Sequence, residues 1–248
     1  MTWPRAYAKI VRLMTTEFVA IGVLWYVVFL LSTTAHEASH ALVAKLGGDP
    51  TAFHGGQVTL DPLPHIRREP FGMVLIPILS YATGGWMMGW ASAPYDPRWQ
   101  QTHPRRAAWM SLAGPAANFS LAVIAGVAIH IGILAGAFQP PESANFQRVV
   151  EATGSGFPEG AAKFFSLLFS LNVLLGTFNL LPIPPLDGYG ALGLFVGDNG
   201  ARRLEEMRQR ARAYSFIGLL LGWQLFAKIY QPLFTLALQA LYPTLHYG

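Results

Sequence analysis

The chain has no cysteine in its 248 residues. That absence removes a disulfide frame, a thiolate nucleophile and every zinc–sulfur site, so a bound metal must rest on His, Asp or Glu. Charge is scarce as well. Asp, Glu, Lys and Arg make up 12% of the residues, about half of the ~25% usual in a soluble domain. A water-facing globule is therefore not expected. Disorder is not expected either, because 52% of the residues are hydrophobic and available for burial. Mean hydropathy is +0.36 and the isoelectric point about 9.5. The net charge of +4 sits in short clusters between long apolar runs, which is the pattern of membrane proteins and not of nucleic-acid binders. Repeats, low-complexity runs and soluble linkers are also missing, so residues 1–248 read as one membrane-embedded domain.

A helix needs ~20 apolar residues to cross a bilayer. Uncharged stretches lie between Glu17 and His36, between Arg106 and Glu142, between Lys163 and Asp187, and after Arg212, where Lys228 is the one interruption before the C-terminal region. These predict four transmembrane helices in an all-α polytopic fold. The first continues in helical pattern to Gly47-Gly48, a good stop. A fifth stretch, Pro70–Tyr95, is broken by Pro77 and Gly84-Gly85. Such breaks suit a re-entrant hairpin, whose irregular backbone is tolerated only under a cover of protein or water. A short β-like loop is expected after the first span.

The arginines at 202, 203, 208, 210 and 212 predict a cytoplasmic loop, and Lys45, Arg67, Arg68, Arg98, Arg105 and Arg106 put the ends of the hairpin on the same side. The region from Phe138 to Lys163, with Glu142, Glu151 and Glu159, is expected outside. This scheme sets the N-terminus outside, against the preference of Arg5, Lys9 and Arg12, which an interfacial position would reconcile. Arg5 to Ala35 also has the outline of a signal peptide, but the helical pattern passes Ala35 without a breaker.

At the end of the first span stands His36-Glu37-Ala38-Ser39-His40. Positions i and i+4 of a helix face the same way, so the two imidazoles can grip one zinc while Glu37 takes a proton from water beside them. The alternative is a set of interfacial polar residues at a helix end, although three ionisable groups there are costly without a task. Two imidazoles leave a catalytic zinc one protein ligand short. The forms used by soluble metalloproteases do not supply it: Val43 and Leu46 stand where one form needs Gly and His, and Asp61 and Glu69 lie in a Pro-rich loop where the other needs a helical Glu.

Asp187 is a better candidate. It ends the run Asn179-Leu180-Leu181-Pro182-Ile183-Pro184-Pro185-Leu186-Asp187-Gly188. The prolines must unwind the helix, Gly188 lets the chain turn, and a carboxylate can then point into the bundle. A solvated Asp in a Pro-rich cap is the competing reading. Asn172 and Asn179, seven apart, share the helix face expected to look toward the site. Ala113-Gly114-Pro115-Ala116-Ala117-Asn118 adds small residues for close helix approach and a polar side chain to bond across it.

The order of pentad, Gly-Pro-x-x-Asn and Asn-x-x-Pro-x-Pro-x-Leu-Asp-Gly resembles the site-2 proteases, zinc enzymes that cut peptide bonds within membranes. The likeness runs from about Thr34 to Gly193. With Gly48-Asp49-Pro50-Thr51-Ala52, Leu60-Asp61-Pro62, His65 and Ala93-Pro94-Tyr95-Asp96-Pro97, it is similar to the small prokaryotic members without PDZ or CBS domains. The resemblance implies one Zn²⁺ on His36, His40 and Asp187, with Glu37 as base. It also implies a transmembrane protein as substrate and a multi-pass place in the cell membrane. The active site would lie toward the cytoplasm, supported by Asn118, Asn172, Asn179, Pro182, Pro184 and Gly188. Two departures bear on substrate handling: Ala91-Ser92-Ala93 lacks an expected Lys, and Gly55-Gly56 stands where Gly-Arg is common.

Ser32 and Thr33 are placed to line a polar inlet. Gly55–Leu60 would form an edge strand that captures an unwound substrate. His54, His65, His103, His130 and His246 read as structural or solvated. A zinc protease recruiting Glu142 or Glu151 as third ligand, and a zinc-binding scaffold without protease activity, are the competing readings.

Overall fold

In lipid every backbone N–H and C=O must be bonded within its own segment, so long apolar runs become helices. The computed structural model of the chain describes residues 15–245 and 247. Helix α1 (Thr16–Leu46) starts at Thr15, whose side chain accepts from the Phe18 N–H, and stops at Gly47, whose N–H bonds the Val43 carbonyl. Short helices α2 (Thr51–His54) and α3 (Pro62–Arg68) occupy the next loop. A π-helical turn (Phe71–Leu75) leads into α4 (Ile76–Gly84). The wider turn accommodates Pro77, which has no N–H for the helical ladder. Then come α5 (Pro97–Thr102) and the long α6 (Pro104–Leu134). Strands β1 (Phe138–Gln139) and β2 (Glu151–Ala152) pair antiparallel, with Phe138 opposite Ala152. Helix α7 (Phe157–Asn179) ends in a Pro-rich turn before α8 (Asp187–Ala191) and a 3-10 turn (Leu192–Leu194). The basic α9 (Asp198–Ala211) and α10 (Ser215–Leu241) follow.

Three of these helices, α1, α6 and α7, are long and apolar enough to cross a membrane. They share one core, in which Trp25, Val28 and Phe29 meet Ala122, Ala125 and Ile129, and Leu167, Leu168 and Leu171. Helix α6 runs antiparallel to both neighbours. His40 of α1 reaches Met110, and His36 reaches Asn118. On the other side Gly176 of α7 meets the Phe119 ring, and Gly126 of α6 the Phe169 ring. The bundle therefore has two unlike ends. One gathers the end of α1, the start of α6 and the end of α7. The other carries the β1–β2 hairpin, pinned by Ser166 Oγ, which accepts from Val149 and Val150 N–H at 3.0 and 3.1 Å. Tyr242 closes that end by donating to the Val149 carbonyl at 3.1 Å.

The sequence predicts four spans, and among the described residues three helices meet the test of length and apolarity. Helix α10 has 27 residues, but Gln224, Lys228, Gln231, Pro232 and Gln239 dilute it. The stretch 70–95 is helical only from Phe71 to Gly84, which is shorter than the ~20 residues of a crossing. Gly85, at φ 78°, reverses the chain. This is a left-handed backbone that costs a glycine nothing. The chain then returns, and Trp90 donates to the Gly72 carbonyl at 3.1 Å. Ser92 O accepts from Gln57, and Asp96 N–H bonds the buried Asp49 carboxylate at 2.7 Å. The segment thus leaves and rejoins the same end of the bundle.

The β-like loop is a correction. Among the described residues the strands are β1 and β2, and Gly55–Leu60 is a series of turns. Gly56, at φ 72°, bends the chain, and Gln57, 2% exposed, is drawn inward to Ser92 instead of alternating along an edge. The basic residues Arg5, Lys9 and Arg12 lie outside the described residues, as does His246.

Candidate metal centre

The regular turn of α1 sets the His36 and His40 rings side by side, with their Nε2 atoms 3.0 Å apart. The Pro-rich turn between α7 and α8 brings in Asp187 as the first residue of α8. Its Oδ2 lies 3.0 Å from His36 Nε2 and 3.2 Å from His40 Nε2. Three ligand-type atoms thus form a nearly equilateral triangle. Four-coordinate tetrahedral zinc, bonded at about 2.0–2.1 Å, spaces its nitrogen and oxygen ligands about 3.3–3.4 Å apart. The triangle is close to that size.

The outer nitrogens decide what the inner ones can be. His40 Nδ1 is 2.7 Å from the Met110 carbonyl, which can only accept, so His40 carries its proton on Nδ1. His36 Nδ1 is 2.6 Å from Asn118 Oδ1. The Asn118 amide is oriented by its own partners, since its Nδ2 donates to Asn172 Oδ1 at 2.8 Å and to the Ser32 carbonyl at 3.3 Å. His36 is therefore also an Nδ1 donor. Both Nε2 atoms then face each other and a carboxylate with lone pairs. Asp187 Oδ2 itself is buried without a hydrogen-bond donor. Such a convergence of electron pairs needs a cation, and a metal ion is the cation that bonds all three at once. Imidazoles held through Nδ1 to a carbonyl oxygen are the usual arrangement of zinc-binding histidines.

Glycine makes the room. A Cβ built on Gly114 of α6 would collide with the Nε2 atoms of both histidines. Hydrogen alone at that position lets α6 pass over the triangle. Gly188 serves the turn in the same way, because a Cβ there would run into the Leu180 carbonyl. Pro182 is exposed and Pro184 half-buried, and the Pro184 carbonyl abuts Gly218 of α10. The residues present therefore fit a zinc ion in their donor chemistry and spacing. Glu37 stands beside the triangle, with a carboxylate oxygen within 4.8 Å of the imidazole nitrogens. His36, Glu37 and His40 are each 8% exposed, so the site is recessed but not sealed.

Of the supporting residues expected from the sequence, Asn118 and Asn172 are fully buried next to His36. Asn179 is not drawn in. Its amide donates to Leu175 O of its own helix at 3.0 Å, and among the described residues no hydrogen bond joins it to the histidines. Seven residues restore the helix face, but α7 ends at Asn179 and the face ends with it. Ser32 and Thr33 do not line an open inlet. Both are buried, and their hydroxyls bond the Val28 and Phe29 carbonyls one turn back. Glu142 and Glu151 lie by β1 and β2, at the far end of the bundle. His65 is buried with Nε2 3.2 Å from Thr59 O, and His103 contacts Thr102. Sequence reasoning missed the Met110 carbonyl, which no side-chain pattern can reveal. It also read Gly114 only as a helix-packing residue.

The sequence model of Peptidase family M50 matches residues 24–223, a region that contains the pentad, Gly114, Asn118 and Asp187. The chain is 32% identical over 195 residues to "Putative zinc metalloprotease YwhC" of Bacillus subtilis (strain 168), covering 78% of this chain and 77% of that one. It is 33% identical over 196 residues to "Putative zinc metalloprotease Rip2" of Mycolicibacterium smegmatis, covering 78% and 65%. A protein of the same name from Mycobacterium tuberculosis is 30% identical over 224 residues, covering 89% and 73%. No solved structure matches. A cysteine-free membrane chain with this donor set, this family match and these relatives belongs to Peptidase family M50, the site-2 protease family, and is a zinc metallopeptidase.

Proposed function

We propose that the chain is an intramembrane endopeptidase that hydrolyses peptide bonds in or near the transmembrane segments of other membrane proteins, as in regulated intramembrane proteolysis. The observation that carries this reading is the place of the triangle. His36 and His40 belong to a membrane-length helix, and Asp187 meets them against α6, a second such helix. A peptide bond reaching these atoms must enter the bundle.

His36, His40 and Asp187 hold the metal. Zinc, when bound, supplies a Lewis acid that polarises the scissile carbonyl and acidifies a water. Glu37 accepts a proton from the attacking water and returns it to the leaving amine. Asn118 and Met110 keep the imidazoles turned inward, and Gly114 leaves room for the substrate carbonyl.

The bases cluster at the site's end of the bundle: Lys45, Arg67, Arg68, Arg98, Arg105, Arg106, Arg202, Arg203, Arg208 and Arg210 all belong to segments joined there. That asymmetry supports a cytoplasmic position for this end in a multi-pass cell-membrane protein. Helix α10 is the fourth span, since it starts against Pro184 and ends against Val149, the full length of α7. The 70–95 segment is re-entrant, because both of its ends lie by the site.

Co-expression with candidate single-span proteins tests the reading. Wild type is expected to release fragments that Glu37→Gln does not, while the purified variant keeps one zinc per chain. Cleavage by Glu37→Gln would refute Glu37 as the base, and identical fragments without any M50 chain would refute the substrate class.

A further inference from the structure

The hydrogen bonds of Asn172 go to Asn118, Ser32 and Leu168 and not to the three donor side chains, and they commit all its capacity toward the site. Its two N–H groups go to the Leu168 carbonyl and to Ser32 Oγ, both at 2.8 Å. The Ser32 hydroxyl spends its own hydrogen on the Val28 carbonyl at 2.7 Å, so toward Asn172 it can only accept. With both donors placed, Asn172 must present Oδ1 to Asn118, and Asn118 Nδ2 donates to it at 2.8 Å. Asn118 must then present its own Oδ1 to His36 Nδ1. Turning either amide over would set oxygen against oxygen and N–H against N–H. Ser32, Asn118 and Asn172 are each 0% exposed, so water cannot repair the mismatch, and each unpaired group would carry a desolvation cost.

The two histidines thus differ. His40 is oriented in one step by a backbone carbonyl that no substitution removes. His36 is oriented through Asn118, whose amide is held most closely by Asn172 of α7 at 2.8 Å and more loosely by the Ser32 carbonyl at 3.3 Å. We infer that Asn172 is a positioning residue of the metal centre: by fixing the Asn118 amide it fixes the ring plane and Nδ1–H form of His36, so that Nε2 offers a lone pair toward Asp187 and His40 before metal arrives. Since α7 also leads into the turn that delivers Asp187, one helix sets two of the three donors. The inference rests on His36 being a ligand.

The test uses the full chain in detergent micelles, stripped of metal and titrated with Zn²⁺ against a chromogenic chelator, and in parallel loaded with Co²⁺ for its visible spectrum. Asn172→Leu is expected to weaken zinc binding by about 10-fold, the low end of the loss seen when a direct hydrogen bond to a metal ligand is removed, because the Ser32 carbonyl still holds Asn118, and to shift the cobalt bands. Asn172→Asp keeps an acceptor oxygen toward Asn118 Nδ2 and, protonated in its buried setting, a donor toward the Leu168 carbonyl, so it is expected to restore zinc affinity and the wild-type cobalt bands. A purely structural role would leave the cobalt bands of Asn172→Leu where they are in wild type. Should Asn172→Leu not fold, Ser32→Ala reads the same relay more mildly, with affinity between that of wild type and the full loss. Wild-type affinity and cobalt spectrum in folded Asn172→Leu, or in Ser32→Ala in its place, would overturn the proposal. His36→Ala or Asp187→Ala binding zinc as wild type would instead overturn the ligand assignment beneath it.

Discussion

At Gly114 the usual expectation for a helix glycine is reversed. Alanine in place of a helical glycine commonly stabilises by roughly 0.5–1 kcal/mol. Here the added Cβ would press on both Nε2 atoms, whose rings are held from behind by Met110 O and Asn118. Gly114→Ala is therefore expected to unfold at a lower temperature than wild type and to lose most of its zinc by elemental analysis. A variant with full zinc content would show that the space over the triangle is not needed. The i, i+4 spacing of His36 and His40 was legible because it depends on one helix alone. The role of Gly114 was not, because it depends on where a second helix crosses.

Among the elements, the two ends of the bundle are held by unrelated bonds and so are separable by mutation. Ser166 Oγ satisfies the Val149 and Val150 N–H groups, and all three residues are at most 3% exposed. Ser166→Ala leaves two buried donors unmatched, at about 1–3 kcal/mol each. The expected result is a clearly lower unfolding midpoint in denaturant with zinc affinity unchanged, because the site lies at the other end. A matching loss of zinc affinity would mean that the ends are coupled. The Pro-rich run announced that α7 must stop before Asp187, and it does. Gly55–Leu60 shows the opposite case: no helix period is present there, yet tertiary bonds from Gln57 and a left-handed Gly56 make turns instead of a strand.

For the whole molecule, the missing cysteines become a tool. Single substitutions Arg203→Cys on α9 and Glu142→Cys near β1, both exposed positions, each give a chain with one thiol. A membrane-impermeant maleimide is expected to label Glu142→Cys on intact cells and Arg203→Cys only after the membrane is opened. Equal labelling of both on intact cells would contradict the topology proposed from the basic cluster.

The sequence by itself determined that the chain lives in lipid, that its long apolar runs are helical, and that His36, Glu37 and His40 share a helix turn. Those properties follow from composition and from the fixed geometry of one helix. Tertiary structure alone decided that Asp187 reaches the imidazoles, that Met110 and the Asn118–Asn172 pair orient them, that Asn179 stays apart, and that 70–95 comes back to the end it left. Each of these depends on how separate helices cross and on which turn a proline or glycine permits, and those are relations between segments that no single segment encodes.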